Sequence, residues 1–499
     1  MDYDKNAEKA KVAETQGSAF FTLMVFTSLV FPIFFVIVFA LYWRLDRPDQ
    51  NRLVVASGLI FYGWWDWRFA VLLLVTTGID YASGLALERE DDERRRRLWL
   101  LLSLVTNLGV LGFFKYFNFF ADSFVRLAGL FGLHPSTMTL RVILPMGISF
   151  YTFQALSYTI DVYRRELDAV HDPVRYFSFI LFFPHLVAGP IVRARDLLGQ
   201  FARRRVFDPT TAPDALRQIL WGVFIKVVVA DNLAPVVAAA YDHAGVASGW
   251  QLLYATFCFS VEIYGDFAGY THIAIGCAKL LGIELMRNFA YPYFSRSIPE
   301  FWARWHISLT RWFRQYLYIP LGGSRVGYRR WALNVLIVFL VSGFWHGANW
   351  TFIVWGAIHG VLYLAYTIAQ PASRSHGADT PGGESLVPSP AAVLQIALTF
   401  SLTCLAWVFF RAPSVSEALD ILGKIVTDVA TTPPALTDKR AVIWIAILFA
   451  VEWVQREHAN PLHLERFPRP VRWSLYYAFA VVVFMFAPIH YTPFIYFQF

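Results

Sequence analysis

Two histidines inside apolar segments are the residues of this sequence whose type and position could do chemistry. His346 lies in VSGFWHGANWTFIVWG, residues 341–356, and His306 lies in FWARWHISLTRWF, residues 301–313. Ionisable groups within membrane segments are energetically costly and therefore mark functional sites. A neutral imidazole can take a proton from a hydroxyl group as that group attacks an acyl carbonyl. The pattern makes His346 a candidate general base for a reaction of this type and His306 a second candidate.

The position of His346 favours a buried, accessible base. It follows Trp331 by about 15 residues, which at ~1.5 Å per helical residue places it roughly 20 Å into a membrane. Low dielectric favours the neutral imidazole, and Gly343 and Gly347 leave space for a substrate. The alternative is a histidine that bonds to a neighbouring helix and has no chemical role. A second candidate, His306, weakens that alternative because two such rings could meet from neighbouring elements.

A metal site and a covalent serine mechanism are competing explanations. Five histidines lie in or beside apolar segments: His185, His272, His306, His346 and His359. They form no HExxH motif, no pair at i and i+4 and no set with nearby acidic ligands, so no metal is predicted. The sequence also contains no GxSxG nucleophile elbow. Direct transfer without an acyl-enzyme, and without a permanently bound cofactor, is the expectation.

Three carboxylates need separate interpretations. Glu262 and Asp266 stand one helical turn apart inside an apolar segment, where they could line a polar path or be neutralised by an arginine from residues 298–330. Asp161 precedes Arg164 and Arg165, and this spacing predicts an ion pair at a helix end rather than an acid catalyst.

Composition sets the class of protein that must hold these groups. The 499 residues are 57% hydrophobic, 18% aromatic and only 16% charged, whereas soluble proteins have about 25% charged residues. The net charge of +7 comes from Lys and Arg residues in short loops, which is typical of membrane orientation signals and not of nucleic-acid binding. The three cysteines lie in apolar segments without paired spacing, so neither disulfides nor a zinc ribbon is predicted.

Apolar segments predict an all-α polytopic integral membrane protein with about 11 transmembrane helices. Twelve apolar segments are the candidates for these spans, and they lie near residues 19–43, 53–64, 68–87, 98–117, 141–162, 214–240, 250–281, 331–347, 351–369, 391–410, 441–454 and 471–488. Residues 175–196 contain three helix breakers and predict a re-entrant element. Residues 298–330 predict a helix that lies in the interface or packs under the bundle. Residues 1–18 are a polar tail. Residues 19–499 form one membrane domain with a flexible loop at 371–390.

The sequence resembles the membrane-bound O-acyltransferase family, in particular its alginate O-acetyltransferase-like bacterial branch. The resemblance rests on long motifs: FYGWWDWRF at 61–69, ILPMGISFYTFQALSYTIDVYRRE at 143–166, FFPHLVAGPIVR at 182–193, RNFAYPYFSRSIPEFWARWHISLTRWFRQYLYIPLGG at 287–323, GFWHGANWTFIVWGAIHG at 343–360 and LAWVFFRAPSVSEAL at 405–419. It implies helices around a central funnel. His346 matches the essential family histidine and His306 a second, less strictly required one, while Trp305 and Asn349 would shape or polarise the substrate site.

The resemblance also implies partners and a location. The acyl donor would be an acyl-CoA such as acetyl-CoA, or an acyl carrier protein. The acceptor would be a polysaccharide or a periplasmic acetyltransferase, reached from the bacterial inner membrane in contact with lipid. Three alternatives stay open: D-alanyl-type transfer from a carrier protein, a polysaccharide or lipid transporter, and a scaffold for a soluble transferase. Transporters usually show related halves, and none is evident here.

Overall fold

All regular secondary structure in the described part of the chain is helical. The computed structural model describes residues 24–133, 140, 143–370, 387–429, 431, 438–488 and 493–495, and these contain no β-strand. The all-α prediction is therefore confirmed. The predicted tail at 1–18 lies outside the described residues, as does most of the predicted loop at 371–390.

The helices follow the apolar segments in chain order. They are α1 Val30–Tyr42, α2 Arg47–Gly63, α3 Trp67–Arg89, α4 Glu93–Leu111, α5 Phe117–Leu130, α6 Ile148–Tyr163, α7 Pro173–Ile180, α8 Phe183–Leu186, α9 Ala194–Ala202, α10 Ala212–Val223, α11 Asp231–Tyr241, α12 Gly249–Leu280, α13 Ile298–Arg304, α14 Ile307–Phe313, α15 Tyr328–His346, α16 Trp350–Ala369, α17 Pro390–Arg411, α18 Val415–Asp428, α19 Lys439–Gln455 and α20 Arg469–Phe486. Single π-helical stretches join α4 to α5 and α10 to α11 without a break.

Five helical stretches in the described residues are long and apolar enough to cross a membrane. They are Trp67–Arg89, Glu93–Leu130, Ala212–Tyr241, Trp350–Ala369 and Pro390–Arg411. The predicted number of about 11 is not confirmed. Several of the other predicted spans form shorter helices, such as α1 with 13 residues and α6 with 16, whereas an upright crossing needs about 20.

Hydrogen bonds identify the two ends of the helical bundle. At one end, Arg96 donates to the carbonyl of Tyr163 at 2.7 Å and Arg47 to that of Ala202 at 2.8 Å. We call this the basic end, because Arg94–Arg97 lie there. At the opposite end, the Asn349 side chain donates to the carbonyl of Pro413 at 2.9 Å.

One helix continues well past its predicted end. The predicted span at 98–117 belongs to an uninterrupted helical stretch of 38 residues, Glu93–Leu130. Its π-helical part, Gly112–Tyr116, widens the backbone in the middle of the stretch. Such π-bulges often occur at functional sites. Here the bulge presents the neighbouring residues Lys115 and Tyr116 to the C-terminal end of α15.

Residues 175–196 do not form a single crossing helix, as their helix breakers lead one to expect, and the predicted re-entrant path stays a prediction. They fold as α7, α8 and the start of α9, and their central part is buried. Backbone donors at the breaks are satisfied by side chains of other elements: Ile191 donates to the Ser308 hydroxyl and Ala194 to the Ser157 hydroxyl. Non-helical backbone at membrane depth requires partners of this kind.

Residues 298–330 do not form the one continuous helix that the sequence predicted. They form the short helices α13 and α14, and the chain changes direction between them at Trp305 and His306. The predicted helix is wrong because His306 has a left-handed backbone conformation, with φ of 42°, which no helix interior accommodates.

Two glycines bring α15 and α16 close together. A Cβ atom added at Gly343 would lie 2.2 Å from the carbonyl oxygen of Phe352, and one at Gly356 would lie 2.3 Å from that of Phe339. Small residues at such crossings allow helix backbones to approach closely inside membranes. This crossing fixes the last turn of α15, and therefore the position of His346.

Replacing Gly343 with alanine should separate these helices. We expect Gly343→Ala to destabilise the protein by about 1–3 kcal/mol, because the new methyl group would meet backbone atoms that cannot rotate away. Thermal unfolding of the detergent-solubilised protein would measure the loss. Gly109→Ala in α4 is the matched control, since its Cβ meets nothing within 4 Å. An unfolding temperature at Gly343→Ala equal to that of the control would contradict the tight crossing.

Candidate active site

His346 is the final residue of α15, and its environment is almost entirely aromatic. Its side chain is 2% exposed. Ring centroids of Trp345, Trp355 and Phe410 lie 5.0, 5.1 and 5.4 Å from the imidazole centroid. The ring is therefore held in a low-dielectric environment, which favours the uncharged form that can act as a base.

Two side chains from the π-helical bulge hold the end of α15. Lys115 donates to the carbonyl oxygens of Trp345 and His346 at 2.8 and 2.9 Å, and the Tyr116 hydroxyl donates to the carbonyl of Phe344 at 2.9 Å. The last carbonyls of a helix have no partner within that helix. A cation at the negative end of the helix dipole is also favourable. These bonds let α15 end inside the protein.

The fold brings His306 and His346 together, as the sequence predicted that it could. Their ring centroids are 6.3 Å apart, so the two rings adjoin without a direct hydrogen bond. Phe267 packs edge-on against His306 at 4.7 Å. Neither ring nitrogen of His306 has a hydrogen-bond partner among the described residues. Buried polar atoms left without partners are rare in proteins and point to a functional role.

The backbone around His306 explains how a strained conformation is kept. A left-handed backbone costs a non-glycine residue roughly 1–2 kcal/mol. Asn288 offsets this cost: its carbonyl accepts from the backbone of Ile307 at 2.8 Å, and its side-chain oxygen accepts from the Ser308 hydroxyl at 2.5 Å. The amide group of Asn288 donates in turn to the Thr271 hydroxyl at 3.3 Å. A buried asparagine therefore anchors the turn that carries His306.

A cavity of about 260 Å³ reaches His346. Its lining residues are Trp65, Lys115, Ile143, Leu144, Pro145, Met146, Gly147, Ile148, Ser149, Phe150, Val187, Trp345 and His346. Ile143 is 57% exposed, so the cavity extends to the molecular surface. Trp65 follows α2, whose first residue lies at the basic end, so this surface belongs to the opposite end of the bundle. We call this space the His346 cavity.

The other two predicted site residues have structural contacts. Trp305 is buried, with its ring 5.1 Å from Trp407, which in turn stacks on Trp355 at 5.4 Å. It therefore supports the wall around His346 from behind. Asn349 is the N-cap of α16: its side-chain oxygen accepts from the backbone of Thr351 at 3.1 Å. Their predicted role in substrate binding is not tested by these contacts and stays a prediction.

The remaining buried histidines are dispersed. His359 accepts from the indole of Trp302 at 3.3 Å, and His272 lies 3.3 Å from the amide nitrogen of Gln218. His185 is buried beside Phe182 in the broken segment. In the part of the chain that the structure describes, no group of three or more His, Cys, Asp or Glu side chains could hold a metal ion.

Two interpretations of buried carboxylates need correction. Asp266 is paired with Lys226 at 2.6 Å, and the same ammonium lies 2.5 Å from Asp231. The counter-ion is therefore a lysine from the adjoining π-helical stretch and not an arginine from residues 298–330. Asp161 accepts a hydrogen bond from the Tyr316 hydroxyl at 2.8 Å and forms no ion pair among the described residues. Lys226 lies within an apolar run, and Tyr316 lies far from Asp161 in sequence. The spacing of residues therefore could not reveal either partner.

Comparison with known proteins decides the family. The model of the membrane-bound O-acyltransferase family matches residues 138–409. This protein belongs to the membrane-bound O-acyltransferase family. It is therefore an acyltransferase, and family membership favours an enzyme over the transporter and scaffold hypotheses. The matched region contains both histidines of the candidate site.

Among relatives of this membrane-bound O-acyltransferase, the "probable alginate O-acetylase AlgI" of Pseudomonas aeruginosa is 38% identical over 79% of this chain and 73% of its own. The peptidoglycan O-acetyltransferase of Helicobacter pylori is 34% identical over 81% of this chain and 80% of its own. The teichoic acid D-alanyltransferase of Bacillus subtilis is 27% identical over 53% of this chain and 68% of its own. The similarity to the O-acetyl-transferring relatives is thus both higher and more extensive.

Removal of the buried lysine should destabilise the protein, because its two carboxylate partners would stay buried without a counter-ion. We expect Lys226→Met to destabilise the protein by about 3–5 kcal/mol, because Asp231 and Asp266 would lose their counter-ion in an apolar environment. Thermal unfolding in detergent measures this effect. Lys279→Met is the control, since its ion pair with Asp214 is part-exposed and worth about 1 kcal/mol or less. Equal stabilities of the two variants would refute the role of Lys226.

Proposed function

We propose that this protein moves an acyl group, most simply acetyl, from an activated donor in the cytoplasm to hydroxyl groups of a cell-envelope or exported polysaccharide. Transfer is direct or passes through a periplasmic partner transferase, and the protein is a multi-pass component of the bacterial inner membrane. The relatives named for O-acetylation of alginate and peptidoglycan support the acyl group and the acceptor class. In this proposal residues 19–499 act as one membrane acyltransferase domain.

The observation that carries the proposal is the His346 cavity. It leads from the surface at the opposite end of the bundle to the imidazole of a buried histidine. An acceptor hydroxyl that enters this cavity gives its proton to His346 as its oxygen bonds to the acyl carbonyl carbon. The bond from that carbon to the donor then breaks, and the leaving group receives the proton. When both substrates are bound side by side, the attack becomes effectively intramolecular.

His306 and Trp305 have supporting parts in this proposal. The imidazole of His306 adjoins that of His346, and its ring nitrogens have no partner among the described residues. These nitrogens can hydrogen-bond to the donor or to the oxyanion that forms during attack. Trp305 and Asn349 shape the substrate site through the wall and the helix start that they hold. Because His306 acts on a charge that other dipoles can also stabilise, its loss should be less damaging than that of His346.

The basic end supplies a place for the donor. Arg311 in α14 and Arg314 just after it are exposed. They lie at the basic end, because the nearby Tyr316 bonds to Asp161 near the end of α6. Positive charge at this end suits the phosphate groups of acetyl-CoA or another acyl-CoA, as well as the acidic surface of an acyl carrier protein. D-alanyl transfer from a carrier protein is the second candidate, and the relative named for that reaction matches a smaller part of the chain.

Substitution of the two histidines tests the assignment of base and assistant. We expect His346→Ala to lower acyl transfer by at least about 10²-fold, because no other imidazole and no carboxylate is among the described lining residues of the His346 cavity. His306→Ala should give a smaller, measurable loss. The acyl content of envelope polymers, at matched abundance of the membrane protein, is the measurement.

His171→Ala serves as the control, because this histidine is exposed at the basic end and pairs with Glu88. It should leave acylation unchanged. Retained acylation in His346→Ala would overturn the catalytic assignment. Loss of polymer export together with acylation would instead support a transport function.

A further inference from the structure

Lys115 contributes an ammonium group to the wall of the His346 cavity. The residue lies in the π-helical bulge and lines the cavity together with His346. Its nitrogen donates to the carbonyl oxygens of Trp345 and His346 at 2.8 and 2.9 Å. A lysine ammonium has three N–H groups. These two carbonyls use two of them, so one N–H group is left for a molecule in the cavity.

The groups around this nitrogen are electron-rich but uncharged. Besides the two carbonyls, the ring of Trp345 lies with its centroid 5.8 Å from the nitrogen, a distance at which an aromatic face attracts a cation. None of the described lining residues of the cavity is acidic. Asp66, which follows the lining residue Trp65, is paired with Arg68 at 2.6 Å. The surroundings therefore hold a cation without a carboxylate to neutralise it.

The ammonium and the imidazole of His346 face the same small space. The nitrogen of Lys115 contacts the backbone of the residue whose ring acts as the base. A hydroxyl that gives its proton to this ring attacks a carbonyl carbon that lies ~3–3.5 Å from the hydroxyl oxygen. The oxygen of that carbonyl then lies in the same cavity as the remaining N–H group of Lys115.

A cation in this position gains most from a negative charge that appears during the reaction. The carbonyl oxygen of an acyl donor is uncharged in the ground state and becomes an anion when the hydroxyl adds to the carbon. Interactions that are stronger in the transition state than in the ground state accelerate the chemical step. Donors that are fixed in advance in a low-dielectric site are especially effective at such an oxyanion.

We propose that Lys115 is a catalytic residue, whose third N–H group donates to the oxyanion of the acyl carbonyl while His346 takes the hydroxyl proton. This inference rests on the proposed function, since it places the reacting carbonyl in the His346 cavity. The two carbonyl bonds of Lys115 fix the ammonium before the substrates arrive. With the oxyanion on Lys115, the ring nitrogens of His306 are left for the donor.

The step balances with an acyl thioester as donor. The acceptor oxygen bonds to the carbonyl carbon, its proton passes to His346, and the electron pair of the C=O π bond moves onto the carbonyl oxygen. Lys115 donates a hydrogen bond to this oxyanion and stays protonated. The electron pair then returns to form the C=O bond of the ester, the C–S bond breaks, and the leaving thiolate receives the proton from His346.

The competing explanation is that Lys115 only holds the end of α15, and substitutions separate the two roles. Lys115→Gln keeps an NH₂ group for the two carbonyls but removes the charge and the third N–H group. Lys115→Arg keeps both the charge and several donors. Tyr116→Phe removes the bond to the Phe344 carbonyl at the same helix end, and Tyr116 is not among the described lining residues of the cavity.

A matched control for the loss of a carbonyl-bound ammonium is Lys424→Gln. Lys424 also donates to two backbone carbonyls, those of Ala244 and Gly245, at 2.7 and 2.6 Å. It lies in α18 and does not line the His346 cavity. Its substitution removes the same kind of interaction without changing the charge of the cavity.

The test measures the initial rate at which host cells incorporate labelled acetate into the ester groups of envelope polymers, at matched abundance of the full-length protein. We expect Lys115→Gln to lower this rate by about 10²- to 10³-fold, as for the loss of one oxyanion donor. Tyr116→Phe should lower it by about tenfold or less, because it removes one neutral hydrogen bond. Lys115→Arg should lose less than Lys115→Gln, and Lys424→Gln should keep the wild-type rate.

Thermal unfolding in detergent accompanies these rates, and Lys115→Gln and Tyr116→Phe should unfold at similar temperatures. A rate in Lys115→Gln no lower than that in Tyr116→Phe would overturn the proposal. A large loss in Lys115→Gln that comes with a much lower unfolding temperature, and that Lys115→Arg does not reduce, would assign Lys115 a structural role only. Retained transfer in His346→Ala defeats the proposed function itself, whereas loss in His346→Ala with retention in Lys115→Gln defeats only the role of Lys115.

Discussion

The last turn of α15 ends inside the protein, and its carbonyl groups must be satisfied there without help from water. Lys115 and Tyr116 meet this requirement for three successive carbonyls. They reach it because the π-helical bulge turns two adjacent residues toward the same helix end. The close crossing at Gly343 holds that end in place. The position of His346, and with it the floor of the His346 cavity, depends on this set of contacts.

The second half of the site depends on backbone that is not helical. His306 has a left-handed conformation between two short helices, and Asn288 supplies the bonds that keep it there. The broken segment at 175–196 packs against the same turn, since Ile191 bonds to Ser308. Irregular backbone at this depth survives because side chains of neighbouring elements satisfy it. The site is therefore built where helices stop rather than along their sides.

The sequence predicted the class of reaction better than the geometry of the site. His306 and His346 are candidates because ionisable groups are rare in apolar segments, and the all-α class followed from the long apolar segments. The packing of the helices depends on contacts between residues far apart in the sequence, which no local sequence pattern predicts. Lys226 lies inside the apolar run FIKVVVA, yet it neutralises Asp266 on another helix. The amphipathic helix α18 was missed because it is too polar for a span, and its packing against the bundle decides its existence.

The length of the helical stretch Glu93–Leu130 has a consequence for the lipid around the protein. Thirty-eight residues extend ~57 Å, almost twice the ~30 Å of a hydrocarbon core, and exposed Phe124 and Leu130 give the far end an apolar surface that favours lipid. That end must tilt or lie along the bilayer surface, so its fit varies with bilayer thickness. Asn118 binds both backbone groups of Leu140, just before the cavity mouth at Ile143. Under the proposed function, a poor fit between this helical stretch and the bilayer would act on the mouth of the His346 cavity.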